Sequence, residues 1–561
     1  MSADNAASNS LRRIPSVSWL FEQTPIAQIC DEYPRTRVKA AIDAVLDEYR
    51  DLIRSGDAID FDLREFALDV RESLQRSERR TLRRVINATG VVLHTGLGRA
   101  PLPRQAIDAI IDVASGYCNL EIDLETGSRG DRQSAVCELL CELTGAEDAL
   151  VVNNNAAGSF LALNTLARGR EAIISRGELV EIGGSYRIPD IMATAQCKMV
   201  EVGTTNRTHL YDYERAITRE TTAIVRVHPS NYVVSGFVTR PTLETLAALV
   251  ADTNESRASN RGNADDSDEE EKSAADGDQV YLIDDLGSGL LEISFVAQEE
   301  YENGSGVAED AEELHGAAEE DCDDVEFEDE DNEEDAYVDE DEDDGAEDGD
   351  EAIDDDAESN LARPAPARRI DEPTVADSLA SGADVVLFSG DKILGGPQAG
   401  IVLGSADVIA KMRRNPLMRT FRPGKLTLAA LEATLMLYRD PEQVAEQVPA
   451  LRFLTRDLAE IEEIAERLES AIAARSQEQV EVEIVEDQTF AGGGALPALS
   501  LPTRTVVVQP ENITAQDVAA ALRDRDVPIV CRVRRDALLF DCRTLVESDI
   551  DEIAMALGEE T

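Results

Sequence analysis

The sequence predicts an α/β protein: a mostly parallel sheet between helices, with a helical domain before it and a small α+β domain after it. Three observations carry this. Short β-branched runs (Asp148–Val152, Glu171–Ile174, Thr222–Val227, Gln279–Ile283 and Asp384–Phe388) alternate with helical stretches and glycine-rich turns, as strands buried on both faces do. Ahead of them, Thr36–Ile53 and Leu63–Leu82 repeat apolar residues every three or four positions, the helical period. Behind them, 440–475 reads as one long amphipathic helix, with Val480–Val485, Thr505–Val508 and Pro528–Arg534 as strands.

These patterns divide the 561 residues into a helical N-terminal domain (1–66), a basic linker helix (67–84), an α/β core (85–425) and a C-terminal α+β domain (426–561). Lys plus Arg is 53 and Asp plus Glu is 114, a formal charge of −61. Residues 251–360 hold 47 Asp/Glu and three Lys/Arg, leaving −17 for the other 451 residues. A chain adapted throughout to high salt would spread its acid over every surface. This one reads as an ordinary globular protein carrying acidic insertions at about 254–278 and 298–360. Such composition cannot bury enough apolar surface to offset ordering entropy, so both tracts are expected to be disordered loops. A regulatory or partner-binding role is the other reading of them.

The overall charge argues against a general nucleic-acid binder, without excluding a local basic site. No apolar run reaches the ~18–20 residues of a membrane span. The N-terminus MSADNAASNSLRRIPSVSWL lacks a basic head followed by an apolar stretch, so no secretory signal is expected. Eight scattered cysteines and four histidines, with no C-x-x-C pair, fit a cytoplasmic enzyme with reduced thiols and no structural zinc.

Three motifs carry chemistry. In FSGDKILGGPQAG a buried-type strand runs into a small-residue turn that presents Lys392. A desolvated lysine there suits Schiff-base chemistry, because its amine must be partly neutral to attack a carbonyl. Taken alone it is more readily a surface lysine, and the S-x-x-K spacing has no S-D-N or K-T-G to accompany it. In VVNNNAAGS, before a helical stretch, small and amide residues leave N–H groups free at a helix N-terminus, a phosphate seat or an ordinary cap. It is not a Walker loop, since Gly424-Lys425 is followed by Leu426. In IDDLGSG, Asp284 and Asp285 stand at a strand's C-terminal end, where open α/β sheets bind ligands. A carboxylate there can pair with a protonated pyridine nitrogen, or simply cap a turn. A phosphate seat, a carboxylate and a strand-end lysine, in that order, are the three anchors of pyridoxal 5'-phosphate.

The chain resembles the bacterial selenocysteine synthases, the L-seryl-tRNA(Sec) selenium transferases. The resemblance runs through RRIPSVSWL, INATGVVLHTGLGRAPL, LETGSRGDR, NNNAAGSFLAL, SRGELVEIGGSYRIPDIM, EVGTTNRTHLYDYERAI, HPSNYVVSGF, DDLGSG, FSGDKILGGPQAGIVLG, RNPLMRTFRPGKLTLAALEATL and GGGALP. Gly96 departs from the family's usual Asn, and the acidic tracts are not typical of it.

The resemblance implies a fold-type-I pyridoxal-phosphate transferase core and a large homo-oligomer, a decameric ring of dimers. It makes Lys392 the Schiff-base lysine and Asp285 or Asp284 the partner of the ring nitrogen, the motif position favouring Asp285. Asn155, Ala156 and Ala157, with Ser389, would cradle the phosphate. Arg99, Arg419 and Arg422 would line the selenium-donor pocket, and a guanidinium fork suits selenophosphate, a compact anion. The implied reaction converts seryl-tRNA(Sec) to selenocysteinyl-tRNA(Sec) through a cofactor-bound aminoacrylyl intermediate. Transfer RNA would be gripped by residues 1–66, including Arg12 and Arg13. Arg76, Arg79, Arg80, Arg83 and Arg84 would add one basic helical stripe making phosphate contacts, unless that helix is merely a solvated linker. Two alternatives remain: a related pyridoxal-dependent ammonia-lyase on a phosphorylated small substrate, and a non-catalytic acidic scaffold.

Overall fold

The structure, a computed structural model, describes residues 14–55, 61–182, 186–261, 279–291, 373–476, 480–497 and 499–560. Both N-terminal arginines of the expected tRNA surface, Arg12 and Arg13, lie outside them, as do all of 298–360 and most of the first acidic tract. Backbone contacts divide the chain into two compact units: residues up to Val85 with Arg523–Pro528, and Ile86–Leu522 with Ile529–Thr561.

The first unit is helical, with Val17–Leu20, Thr24–Glu32, Arg35–Ser55 and Leu63–Glu78. Leu20, Ile26, Val38, Ile42, Val45, Phe66, Val70 and Leu74 form its core. Asp62 caps the last helix, accepting from the N–H groups of Arg64 and Glu65. That helix stops at Glu78, short of the expected Leu82. Arg79 is extended, its guanidinium 2.9 Å from Asp526 and donating to the carbonyl of Asp524. Arg83 donates to the carbonyl of Arg525 at 2.8 Å, and Arg76 pairs with Glu72. The five arginines therefore make no helical stripe: contacts with 523–526 outweigh local helical preference.

The second unit holds two large sheets. Its strands are β1 (Ile86–Ala88), β2 (Asp148–Val152), β3 (Glu171–Ser175), β4 (Glu181–Ile182), β5 (Tyr186–Arg187), β6 (Lys198–Val202) and β7 (Thr221–Val227). They continue as β8 (Tyr281–Gly287), β9 (Val385–Ser389), β10 (Gly400–Gly404), β11 (Val480–Phe490), β12 (Ser500–Pro510), β13 (Ile529–Arg534) and β14 (Ala537–Asp541). The main sheet runs β2-β10-β9-β8-β7-β3-β6. Only β10 is antiparallel to its neighbours. This is the mostly parallel sheet expected, and its central strands are buried, β9 throughout and β8 up to Leu286, as helices on both faces require.

The second sheet runs β1-β13-β14-β12-β11. Its edge strand β1 comes from the front of the expected core and pairs in parallel with β13. One apolar cluster joins Leu93, Phe388 and Leu394 to Val448, Leu451, Ala491 and Leu501. The chain on either side of the 425/426 boundary thus shares a core.

Two further expectations are corrected. The stretch 440–475 is three helices, Pro441–Gln447, Pro449–Thr455 and Leu458–Arg475. Pro449 bars Val448 from helical geometry, and Val448 sits at φ −95°, ψ 111°. The helix Leu243–Arg261 runs on into what was read as the first acidic tract. Asn254 holds it there, exchanging two 2.9 Å hydrogen bonds with the backbone of Val280. Among the described residues no helix is long and apolar enough to cross a membrane, and all seven cysteines are unbridged.

Candidate active site

Four parallel strands end at one edge of the main sheet, where an α/β fold offers its loops to a ligand. β2 leads to Asn153–Asn155, β7 to His228–Ser230, β8 ends in Asp285–Gly287, and β9 leads to Ser389–Lys392. Between them lies a cavity of about 270 Å³ whose wall includes Arg99, Asn155, Ala156, Tyr186, Asp285 and Lys392.

The helix Asn155–Leu166 opens on this cavity. Asn154 is its cap, its side-chain oxygen accepting from the N–H of Ala157 at 2.8 Å. Of the three expected phosphate-cradling residues, Asn155 and Ala156 line the cavity; Ala157 does not, and its N–H serves the cap instead.

Asp285 and Asp284 are separated by the pleat. Successive strand residues face opposite sides, so only Asp285 reaches the cavity. It accepts from the Asn155 amide at 2.8 Å and the Ser159 hydroxyl at 2.6 Å. Burial pushes its pKa up, against Ser159, Asn155 and the charge of Lys392. Asp284 is fully buried on the other face, 3.8 Å from Arg226 of the neighbouring strand. The pleat thus removes Asp284 from the candidate cofactor ligands. Ser159 was missed by the sequence reading, although it stands four residues after Asn155, on the same helical face.

Lys392 is 4% exposed, and its Nζ donates to the carbonyl of Gly494 at 2.9 Å. Ser389 lines the cavity, with its hydroxyl donating to Asp391 at 2.6 Å. Asp391 in turn holds Arg99 at 2.9 Å. Asp391 was also missed; it fixes the arginine that was expected to meet the anionic donor.

Arg419 and Arg422 line a second cavity of about 380 Å³ together with Arg129, Arg132 and Glu121. Neither Arg99 nor Lys392 belongs to it. The three arginines expected in one pocket are therefore split between two cavities of the chain. The chain next to each cavity is joined by a 2.9 Å hydrogen bond from the N–H of Asn153, just before Asn154, to the carbonyl of Phe421, just before Arg422. Desolvation, then the charges of Arg132 and Arg419, lower the pKa of Arg422; an anion bound there would relieve that repulsion.

The residues fit pyridoxal 5'-phosphate. An amine, a buried carboxylate and a helix N-terminus face one space. The Ser230 hydroxyl and the side-chain oxygen of Asn155, both at this cavity, are buried with no hydrogen-bond partner among the described residues.

A family profile described as L-seryl-tRNA selenium transferase matches residues 85–268 and 360–546. A second, described as selenocysteine synthase N terminal, matches 11–50. The chain belongs to the L-seryl-tRNA(Sec) selenium transferase family. It is 37% identical over 550 residues to the L-seryl-tRNA(Sec) selenium transferase of Geobacter sulfurreducens, covering 98% of each chain. It is 38% identical over 549 residues to that of Moorella thermoacetica, covering 98% of this chain and 96% of the relative. A solved D-glucosaminate-6-phosphate ammonia-lyase covers 85% of this chain and 96% of its own at 17% identity and a TM-score of 0.47, a likeness too distant to bear on function. Membership in the selenium transferase family, with the seven-stranded sheet, gives the fold-type-I core expected. It covers the N-terminal segment as well, which the ammonia-lyase alternative does not account for.

Proposed function

We propose that this enzyme converts L-seryl-tRNA(Sec) to L-selenocysteinyl-tRNA(Sec), with selenophosphate as selenium donor and pyridoxal 5'-phosphate held by Lys392. The convergence of two buried groups, Lys392 and Asp285, on one cavity, in a member of this family, carries the reading. It also weighs against the scaffold alternative, which has no use for either group.

Bound there, the cofactor supplies the electron sink for charge developing at the seryl Cα. Asp285, kept in place by Asn155 and Ser159, holds the ring-nitrogen proton. Asn155 and Ala156 seat the phosphate at the helix N-terminus. Lys392 Nζ takes the Cα proton and the β-hydroxyl leaves, protonated, as water; the donor's selenium bonds to the β-carbon, Lys392 returns the Cα proton, and water cleaves the selenium–phosphorus bond to release phosphate. Arg99, oriented by Asp391, meets the donor's oxyanion.

Arg419 and Arg422 complete the donor site from a second copy of the chain in a homo-oligomer. The loop carrying Glu121 of their cavity also exposes Tyr117, Ile122 and Leu124, an apolar surface that association would cover. The helical N-terminal unit meets the tRNA; of its candidate phosphate contacts Arg76, Arg79, Arg80, Arg83 and Arg84, three would first exchange their present partners Glu72, Asp526 and the Arg525 carbonyl.

The test is incubation of purified protein with cofactor, seryl-tRNA(Sec) and selenophosphate. Selenocysteinyl-tRNA should form, and borohydride reduction should leave the cofactor's mass on Lys392. Cofactor bound in plenty with Lys392 unmodified would overturn the assignment.

A further inference from the structure

The motif GGGALP has no role in the reaction as described so far, yet it reaches the reacting amine. It lies between β11 and β12, in the part of the chain expected to be a separate C-terminal domain. Gly492, Gly493 and Gly494 sit at φ +74°, +62° and +66°, three left-handed residues in succession, which only glycine adopts routinely. The loop is also pressed against the core. A Cβ on Gly492 would stand 2.3 Å from Val91 Cγ1, and one on Gly493 2.5 Å from the carbonyl oxygen of Leu93. The N–H of Leu93 donates to the carbonyl of Ala491 at 2.7 Å, so the same segment that packs on the loop also bonds it. The result is one backbone carbonyl, that of Gly494, aimed at Lys392 Nζ from 2.9 Å.

We infer that the Gly492–Gly494 loop is the cradle of the Lys392 ε-amine whenever that amine is not bonded to the cofactor, with the Gly494 carbonyl as its acceptor. This rests on the assignment of Lys392 as the cofactor-bearing lysine. A carbonyl accepts more strongly from an ammonium than from a neutral amine. The cradle therefore holds the proton that Lys392 carries between leaving the cofactor and returning to it. Positive φ favours glycine on two sides of the amine, at Gly287 (+69°) and Gly494 (+66°), where a Cβ would come into van der Waals contact with Lys392 Nζ at 3.7 and 3.4 Å. The other titratable groups around the amine are Asp285 from β8, Tyr186 from β5, His228 after β7, and Arg99. None of them lies on the glycine loop itself.

The experiment follows capture of pyridoxal 5'-phosphate by the cofactor-free full-length protein, by absorbance, across a pH series. Capture needs the neutral amine. In Gly493→Ala the clash with Leu93 must shift the loop and withdraw the carbonyl. In the milder Gly494→Ala a methyl group is set against the ammonium. Each variant should capture cofactor about tenfold faster near neutral pH, with the midpoint about one pH unit lower than wild type. Should Gly493→Ala not fold, Gly494→Ala decides. Folded variants whose midpoints match wild type overturn the cradle. Failure of the underlying assignment looks different: Lys392→Ala would then capture cofactor as wild type does.

Discussion

The side-chain amide of Asn155 donates to Asp285 Oδ1 at 2.8 Å, across 130 residues of sequence. One residue at the mouth of a helix thereby both lines the cavity and positions the carboxylate that faces it. Ser159, one turn further on, takes the other carboxylate oxygen at 2.6 Å. Removing the charge in Asp285→Asn should lower kcat by on the order of a hundredfold. The cofactor should still be bound covalently, as absorbance and borohydride trapping would show.

Ser159 gives a pH prediction with a definite sign. Burial raises the Asp285 pKa, and the Ser159 hydrogen bond is the largest effect opposing it. The reaction needs the ionised carboxylate, so activity falls as pH drops through that pKa. Ser159→Ala should move the acid limb of the kcat profile to higher pH while leaving the basic limb in place. An acid limb unmoved in a well-folded variant would refute the role given to this serine.

The arginine cavity predicts a separation of binding from cofactor chemistry. Arg419→Ala or Arg422→Ala removes a charge-assisted hydrogen bond to the donor, which should raise KM for selenophosphate about tenfold or more. The absorbance of bound cofactor should be unchanged. If the cavity acts across a subunit boundary, mixing inactive Lys392→Ala protein with Arg419→Ala protein, after dissociation and reassembly, should restore part of the activity at selenophosphate concentrations too low for Arg419→Ala alone to turn over. No recovery from properly mixed oligomers would place both functions in one copy.

Stability at acid pH turns on Asp541, fully buried, with its pKa pushed up to about 6 by burial against the charge of Arg532. A carboxyl whose pKa is higher folded than unfolded stabilises the fold while protonated. That contribution is complete below about pH 4 and is lost as pH rises to about 6. Asp541→Asn should flatten this part of the stability-versus-pH curve, a difference of roughly 3 kcal/mol over the window, measured by urea unfolding beside wild type.

The acidic stretch 298–360 is expected to be dispensable. Its field is screened within ~8 Å at physiological salt. Deleting it should leave kcat and the KM for seryl-tRNA(Sec) unchanged; lost activity in a folded deletion variant would show that the tract works with the enzyme.

What the sequence determined by itself was local. Alternating β-branched runs and helical periods define the layers, since burial on two faces writes itself into every strand. Lys392, Asp285 and Asn155 were each legible because strand-end turns have a composition of their own. Tertiary structure decided what depends on the pleat and on residues far apart in the chain. The pleat separated Asp285 from Asp284, a choice no composition makes. Contacts with 523–526 ended the arginine-bearing helix at Glu78, overriding a periodicity that ran past it. Packing brought a glycine loop from beyond residue 490 to Lys392, because a backbone carbonyl leaves no trace in side-chain pattern and its address is known only when the chain is folded.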